Sequence, residues 1–392
     1  MSKVSYNTIS NSAIHIPDEC IADLTVLLTK LGAEKYLEDN ILNIPQGIIG
    51  HIETNSLRIS IEPSIDYFSC QDYLRLIKPT ENLSKSNDGF LDMQESTSLS
   101  RYIINEFYKS LRSEIKTGLP RRYLVRENYS NYATGNIDYI KSYKRISLNE
   151  DPAFVTSTAE LSTSFSILKV IKAAYNKACK YQDNLIDYAI ISALSNIEIP
   201  HTCNNLLDLP THFSRNELGL SYTYDLAKII IRNMDSVSKK SDYEMSLLIN
   251  ANIIFEDFLL SLLTSLFPQD NFEGKAECII TDGDKELTSF ADIIFHGSHT
   301  VVIDAKNKRY LPSPSNSDYY QMFSYLDSYK VKTAILVYPH YENADPKVVT
   351  PKGTPRLQIY MVPLSIKPTD HGLSREHFEH FKLQMEKLLR FG

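Results

Sequence analysis

The apolar positions from residue 241 onward switch between helical and strand-like spacing. Residues 243–267 carry apolar side chains at the spacing of one helix face, which predicts a helix. The other predicted elements are strands at 276–280, 289–295, 301–305, 333–338 and 357–362 and helices at 317–329 and 375–389. This order of helices and strands indicates an α/β domain built on a mixed sheet.

The earlier part of the chain has two regions of different character. Residues 44–65 alternate as strands do, with Gly47 and Gly50 as interruptions, and a short helix is predicted before them at 18–31. Helical spacing then dominates, with predicted helices at 98–115, 165–175, 185–194 and 217–234. We therefore predict a β-rich N-terminal region at 1–94, a mainly helical middle region at 95–240 and the α/β domain at 241–392.

Two polar stretches predict the joints between these regions. Residues 81–95 are rich in Ser, Asn, Asp and Glu and predict a linker, and residues 235–242 predict a hinge. We therefore expect each region to be a continuous segment of the chain, bounded by the linker and the hinge.

Two apolar strands of the last domain each carry an acid. Asp292 lies within FADIIF, Asp304 lies near the end of TVVIDAK, and residues 296–298 predict a hairpin turn between them. Lys306 is two residues beyond Asp304, so both side chains project from one face of the strand. Two carboxylates and an amine at one end of a hairpin suit a hard divalent cation and a reacting phosphate.

The D-x11-D-x-K spacing gains weight from its apolar surroundings, because an unpaired charge in a buried strand is costly. In the functional interpretation, Asp292, Asp304 and the Ala305 carbonyl hold Mg²⁺. Lys306 orients or activates the attacking water and stabilises the charge that develops on the phosphate. The alternative interpretation is structural, with the acids in a buried ion pair or exposed at a strand end.

Composition narrows the class of protein. The chain has 392 residues, 43% apolar and 23% charged, which is typical of globular proteins with more than one domain. Its five cysteines are scattered and form no C-x-x-C pair, which argues against a disulfide framework or a zinc site. No run of about 18 apolar residues predicts a membrane span, and the first residues lack the apolar core of a signal peptide. We therefore expect a soluble protein of the cytoplasm.

The charge of the chain is unevenly distributed. The net charge is −7, but residues 101–146 contain ten Lys and Arg against four Asp and Glu, together with seven tyrosines. Residues 301–392 contain thirteen Lys and Arg against nine Asp and Glu. Such segments are either solvated surface or a nucleic-acid contact with aromatic platforms. Because the whole chain is acidic, tight binding to DNA would require a partner.

The hairpin and its surroundings resemble the PD-(D/E)xK nuclease superfamily. Asp292 follows Ala291 where that superfamily usually has Pro-Asp, and Asp304-Ala305-Lys306 matches the (D/E)xK element in full. Glu256, in the preceding helix, falls where the superfamily often has an acid near the metal. Its alternative interpretation is a solvated helix face. The resemblance implies a metal-dependent nuclease.

Three further stretches resemble the McrC family, the nuclease subunit of McrBC-type restriction systems specific for 5-methylcytosine. The first is IDAKNK followed by DYYQMFSYL, in which Gln321 and Tyr325 share a helix face and the Gln is expected beside the active site. The second is the tract PRRYLVRENYSNYATGNIDYIKSYKRI, with Tyr123, Gly135, Ile137, Asp138 and Arg145 at the positions of the family's central block. The third is GIIGHIETNSLRISIEPSI, where Ser64 replaces a frequent Lys.

The resemblance implies a complex rather than a lone enzyme. The N-terminal β-rich region of such proteins enters the pore of an AAA+ GTPase ring and stimulates its GTP hydrolysis. The ring recognises modified double-stranded DNA and translocates it. No P-loop motif is present in this chain, so GTP is expected on the partner. Lys35, His51 and Arg58 are the candidates for reaching the GTPase site. Two alternatives are a stand-alone restriction or repair nuclease of the same superfamily and a non-catalytic activator of a ring NTPase.

Overall fold

The computed structural model describes most of the chain as helices and strands. The described residues are 3–77, 99–133, 135–180, 186–199, 213–235, 246–282, 285–311, 313–350, 356–366 and 378–391. The strands are β1 Val4–Ile9, β2 Ser12–His15, β3 Leu37–Glu38, β4 Ile41–Ile44, β5 Ile48–Glu53, β6 Leu57–Glu62, β7 Arg122–Ser130, β8 Asn136–Ile137, β9 Phe154–Ser162, β10 Met234–Asp235, β11 Ser246–Asn250, β12 Asn271–Asp282, β13 Lys285–His296, β14 Thr300–Ala305, β15 Thr333–His340, β16 Lys347–Val349 and β17 Gln358–Ser365. The helices are α1 Asp18–Lys30, α2 Cys70–Leu76, α3 Leu99–Thr117, α4 Tyr139–Ser147, α5 Ser166–Cys179, α6 Tyr188–Leu194, α7 Leu220–Asn233, α8 Ala251–Leu266, α9 Asn316–Ser328 and α10 Glu379–Phe391.

The described residues form two compact units. The first unit contains the chain up to Arg101 and again from Met234 onward, and the second contains the part from Tyr102 to Asn233. The division into regions at 1–94, 95–240 and 241–392 stays a prediction. The predicted linker at 81–95 lies outside the described residues, as does the predicted hinge beyond residue 235.

A five-stranded sheet of the first unit joins the two ends of the chain. Its strand order is β1-β6-β5-β11-β10, with β11 antiparallel to β5. Gly50 permits this pairing because its φ is +131° and a Cβ there would lie 2.1 Å from the Leu247 carbonyl oxygen. Helix α1 packs Leu24, Leu27 and Leu28 into the apolar core under this sheet. The N-terminal sheet therefore depends on a strand from the α/β domain.

The second sheet of the first unit carries the predicted hairpin. Its order is β12-β13-β14-β15-β17-β16, with β14 antiparallel to β13 and parallel to β15. Helix α9 packs Met322, Tyr325 and Leu326 against this sheet in one apolar core. The mixed α/β architecture predicted from the sequence is confirmed.

The predicted helix at 243–267 is wrong at its start. Residues 246–250 form β11, the helix proper begins at Ala251, and residues 243–245 lie outside the described residues. The run Ser-Leu-Leu-Ile is buried in the sheet, and a short apolar run does not distinguish a strand from a helix. Asn250 then caps α8, because its side chain accepts a hydrogen bond from the Asn252 N–H.

The middle region is helical only in part. Its four predicted helices are confirmed as α3, α5, α6 and α7. The basic, tyrosine-rich tract between them instead forms β7, β8 and α4, and β7-β9-β8 is a three-stranded sheet. In β7, Tyr123 and Val125 are exposed while Arg122 and Leu124 are half-buried, which is the alternation of a strand. None of the described helices is both long enough and apolar enough to span a membrane.

Candidate functional site

The pairing of β13 with β14 brings the two predicted acids together. The register pairs Ile293 with Ile303, so one step further along the strands Asp292 faces Asp304. The ladder opens at this step, because the Ala305 N–H donates to Asp292 Oδ2 at 2.8 Å. On the side of β14 that faces β15, the Lys306 N–H donates to the Val337 carbonyl at 2.8 Å. The hairpin therefore holds both carboxylates next to the carboxyl end of β14.

Asp304 is almost completely buried and incompletely paired. Its exposed fraction is 1%, and its Oδ2 lies 2.5 Å from Lys306 Nζ. Neither Oδ1 nor Oδ2 has a hydrogen-bond partner among the described residues, so the contact of Oδ2 with Lys306 is an ion pair. A buried carboxylate oxygen without a donor is costly unless something else meets it. A cation is the partner that such an oxygen suits best.

The electrostatics of the pair also favour an added positive charge. Burial raises the pKa of Asp292 to about 7, and the neighbouring Asp304 carboxylate adds to the rise. Burial likewise raises the pKa of Asp304. Burial opposes the charge on Lys306, but the surrounding carboxylates, with that of Asp304 first, together raise the pKa of the amine. The two carboxylates lie close enough to repel each other, so a divalent cation would relieve their repulsion.

Gln321 holds the other side of Lys306. Lys306 Nζ donates to Gln321 Oε1 at 2.8 Å, and Gln321 Nε2 donates to the Tyr325 hydroxyl at 3.0 Å. The Tyr325 hydroxyl donates in turn to the Phe290 carbonyl of β13 at 2.7 Å. This chain of hydrogen bonds fixes Lys306 between Asp304 and α9.

Glu256 lies near the pair without joining it. Burial raises its pKa, and its carboxylate is close enough to Asp292 and Asp304 for mutual repulsion to contribute. Within the described ranges, no three His, Cys, Asp or Glu side chains gather closely enough to hold a metal alone. A cation at this site would take Asp292, Asp304, the Ala305 carbonyl and water, a set that suits Mg²⁺ because Mg²⁺ retains several waters.

Two further clusters next to Lys306 escaped the sequence interpretation. Lys308 Nζ lies 2.5 Å from Oδ2 of the buried Asp318, whose own N–H donates to the Ser315 hydroxyl that caps α9. In the second cluster, the side chain of Asn307 is hydrogen-bonded to the side chains of Tyr73 and Asn252. The Ser-x-x-Asp start of α9 signals the first cluster. Tyr73 lies 234 residues from Asn307, so no local pattern signals the second.

Several large hydrophobic side chains of the tyrosine-rich tract are exposed to solvent. They are Tyr123, Tyr132, Tyr139, Ile140 and Tyr143, each at 73–84%. Ser142, by contrast, is the buried residue of α4, and its hydroxyl is hydrogen-bonded to both backbone polar groups of Val155. Three cations of the tract, Arg122, Lys141 and Arg145, are each paired with a carboxylate. The tract therefore exposes aromatic rings and aliphatic chains, while these three positive charges are already paired.

The three N-terminal candidates have different surroundings. His51 is buried with its ring 3.4 Å from the Ser100 hydroxyl, and Arg58 pairs with the buried Glu53. Lys35 is exposed and lies over the ring of Tyr36. Which of them serves a partner stays an open prediction.

Comparisons with known proteins give one family and one fold. The family model described as McrBC 5-methylcytosine restriction system component matches residues 44–339. A chain of the refined half-complex from the tetradecameric assembly of Thermococcus gammatolerans McrB AAA+ hexamers with bound McrC is 13% identical, with a TM-score of 0.55. That match covers 98% of this chain and 100% of the other, and it shows a shared fold.

A second solved structure is more distant. A chain of the cryo-EM structure of the Thermococcus gammatolerans McrBC complex is 14% identical, with a TM-score of 0.41 over 67% of this chain and 88% of that one. No curated protein sequence matches this chain.

Proposed function

The chain belongs to the McrBC 5-methylcytosine restriction system component family, and from this premise we propose that it is the DNA-cutting subunit of a modification-dependent restriction complex. The observation that carries the proposal is the buried Asp304, whose two oxygens have no hydrogen-bond donor among the described residues and whose Oδ2 lies 2.5 Å from Lys306 Nζ in an ion pair. Asp292 faces it across the hairpin. The reaction is hydrolysis of a DNA phosphodiester.

Each residue of the site has a distinct role in this reaction. Asp292, Asp304 and the Ala305 carbonyl hold Mg²⁺, which when bound supplies a Lewis acid for the phosphate. Lys306 orients the attacking water and donates to the phosphate oxygen as charge develops there. Gln321 keeps the ammonium aimed, since it accepts one of its hydrogen bonds. Glu256 adds negative charge near the metal.

The arrangement of elements supports the PD-(D/E)xK interpretation. Helix α8 carries Glu256, the hairpin β13-β14 carries the two aspartates and Lys306, and α9 then leads into the parallel strand β15. This is the order expected of that nuclease superfamily, and it has Gln321 next to the proposed catalytic lysine.

The proposed partners are supported by the similar solved structure and by the lack of a P-loop motif in this sequence. The similar structure contains McrB AAA+ hexamers with bound McrC. No P-loop motif is present in this chain, which favours the role of McrC over that of McrB. Its partner is then a McrB-like AAA+ GTPase ring in the cytoplasm, which binds GTP and delivers methylated DNA. The N-terminal β-rich region contacts that ring.

Replacement of Asp304 tests the proposal directly. We expect Asp304→Asn to reduce cleavage of methylated DNA by the complex roughly 100-fold or more, because a buried metal ligand is lost. The matched control is Asp327→Asn, an exposed acid of α9 that pairs with Lys330. Cleavage is measured with GTP, Mg²⁺ and the partner ring present, and EDTA should abolish it. Undiminished cleavage by Asp304→Asn would contradict the nuclease role.

The same assay separates the two alternatives. Cutting by the purified chain without the partner or GTP would favour a stand-alone nuclease. Stimulation of the partner's GTP hydrolysis with no cleavage under any condition would favour a non-catalytic activator. The complete Asp292, Asp304 and Lys306 set argues against the latter.

A further inference from the structure

The residue that follows the candidate catalytic lysine is held by two side chains from elsewhere in the first unit. The Tyr73 hydroxyl donates to Asn307 Oδ1 at 2.5 Å, and Asn307 Nδ2 donates to Asn252 Oδ1 at 3.0 Å. Both bonds end on a single side chain, so the Asn307 amide has a fixed plane and direction.

Asn307 is the central residue of a tight turn. The Lys308 N–H donates to the Lys306 carbonyl at 2.8 Å, which closes a three-residue turn directly after β14. This turn sends Lys306 toward Asp304 and Gln321, and it sends Lys308 toward Asp318. The direction of both lysines therefore depends on how the Asn307 backbone is held.

Tyr73 is a rigid anchor for this turn. It lies on α2 with 1% exposure, and its ring meets the edge of Phe68 at 6.0 Å between centroids. A buried tyrosine hydroxyl requires a partner, and Asn307 is the partner the structure gives it. Asn252 is anchored as well, because it is the second residue of α8, two residues after β11, and its Nδ2 donates to the Gln46 carbonyl at 3.5 Å.

We propose that Tyr73 is a positioning residue for the nuclease site, which acts through Asn307 to hold the turn that aims Lys306. The N-terminal region thus completes a site whose charged groups all come from the α/β domain. This inference rests on the proposed nuclease function. The inference also extends the proposed function, because the D-x11-D-x-K spacing assigns no role to any residue before Asp292.

Removal of one hydroxyl tests this role. We expect Tyr73→Phe to lower kcat for DNA cleavage by the reconstituted complex about 10-fold while KM stays unchanged, as is typical when an outer partner of a catalytic group is lost. The control is Tyr67→Phe, which also removes a hydroxyl that bonds to the α/β domain, but at the Pro339 carbonyl of β15. Tyr67→Phe should cleave as the wild type does.

A double-mutant cycle shows whether the effect passes through Asn307. Asn307→Ala should lower kcat by a similar factor, and adding Tyr73→Phe to it should change kcat no further. Asn252→Asp retains the acceptor oxygen for Asn307 and should cleave better than Asn252→Leu. Thermal unfolding of each variant is measured in parallel, and partner binding is checked by co-purification.

The outcomes distinguish this inference from the proposed function. Wild-type kcat in Tyr73→Phe, or additive losses in the double mutant, would overturn the positioning role while Asp304→Asn still abolished cleavage. Loss of kcat only in proportion to loss of folded protein would also overturn it. Full activity of Asp304→Asn would instead remove the nuclease function on which it rests.

Discussion

At Gly50 and Asp304, the surrounding atoms determine which side chain the position can accept. At Gly50 the positive φ and the Leu247 carbonyl exclude a side chain, because the neighbouring atom is backbone and cannot move aside. At Asp304 a carboxylate is buried in a strand whose other buried residues are all apolar. The first constraint serves the fold, and the second serves the proposed chemistry.

A substitution at Gly50 should therefore be costly. We expect Gly50→Ala to lower the free energy of unfolding by about 3 kcal/mol, because the new Cβ forces β5 away from β11. Gly32→Ala is the control, since Gly32 also has a positive φ but a Cβ added there would meet no atom within 4 Å, and it should cost roughly 1 kcal/mol. Urea unfolding of both variants measures the difference, and equal losses would contradict the steric account.

At the scale of elements, an ion pair between the half-buried Arg122 and the buried Glu217 joins β7 to the segment before α7 in the second unit. Arg122 of β7 donates two hydrogen bonds to Glu217, which has an exposed fraction of 1% and precedes α7. The bond from Arg122 lowers the pKa of Glu217 to about 2 against the opposing effect of burial. Because the folded pKa is below the ordinary value of 4.5, the pair stabilises the fold fully above about pH 5.

Acid should remove this contribution. We expect the wild type to lose on the order of 2 kcal/mol of unfolding free energy from this group as the pH falls from about 5 to 2. Glu217→Gln should be less stable at neutral pH and should show a flatter dependence over that range. Urea unfolding at pH 3 and pH 6 measures this, with the exposed Glu160→Gln as control. Parallel pH profiles for wild type and Glu217→Gln would contradict the assignment.

The elements also show what the sequence can and cannot predict. The hairpin was predictable because β13 and β14 are adjacent in sequence and joined by a Gly-Ser turn, and its acids stand out in apolar strands. Strand β11 was missed because its partner β5 is far away along the chain, and an apolar run of this length fits a helix equally well. Tyr73 was missed for the same reason, because its proposed role depends on a hydrogen bond to Asn307, which is 234 residues away along the chain.

At the scale of the whole molecule, the β5–β11 pairing makes a prediction about fragments. A fragment of residues 241–392 has no partner for β11 and would expose the unpaired edge of that strand. We expect this fragment to aggregate, whereas the same fragment co-expressed with residues 1–101 should be recovered in soluble form. Soluble yield and gel filtration provide the measurement. A monomeric, cooperatively unfolding fragment 241–392 would instead support the three-region division as independent domains.

The β5–β11 pairing also affects how the chain folds during its synthesis on the ribosome. The Glu53 N–H is bonded to the Ser246 hydroxyl, a bond that spans 193 residues. At a synthesis rate of about 5–20 residues per second, the ribosome needs roughly 10–40 s to deliver that partner. The whole second unit emerges in the interval and can fold first, while the edge of β5 stays open to other newly made chains. Production of this protein should therefore improve with slower translation initiation and with chaperones that hold the first hundred residues.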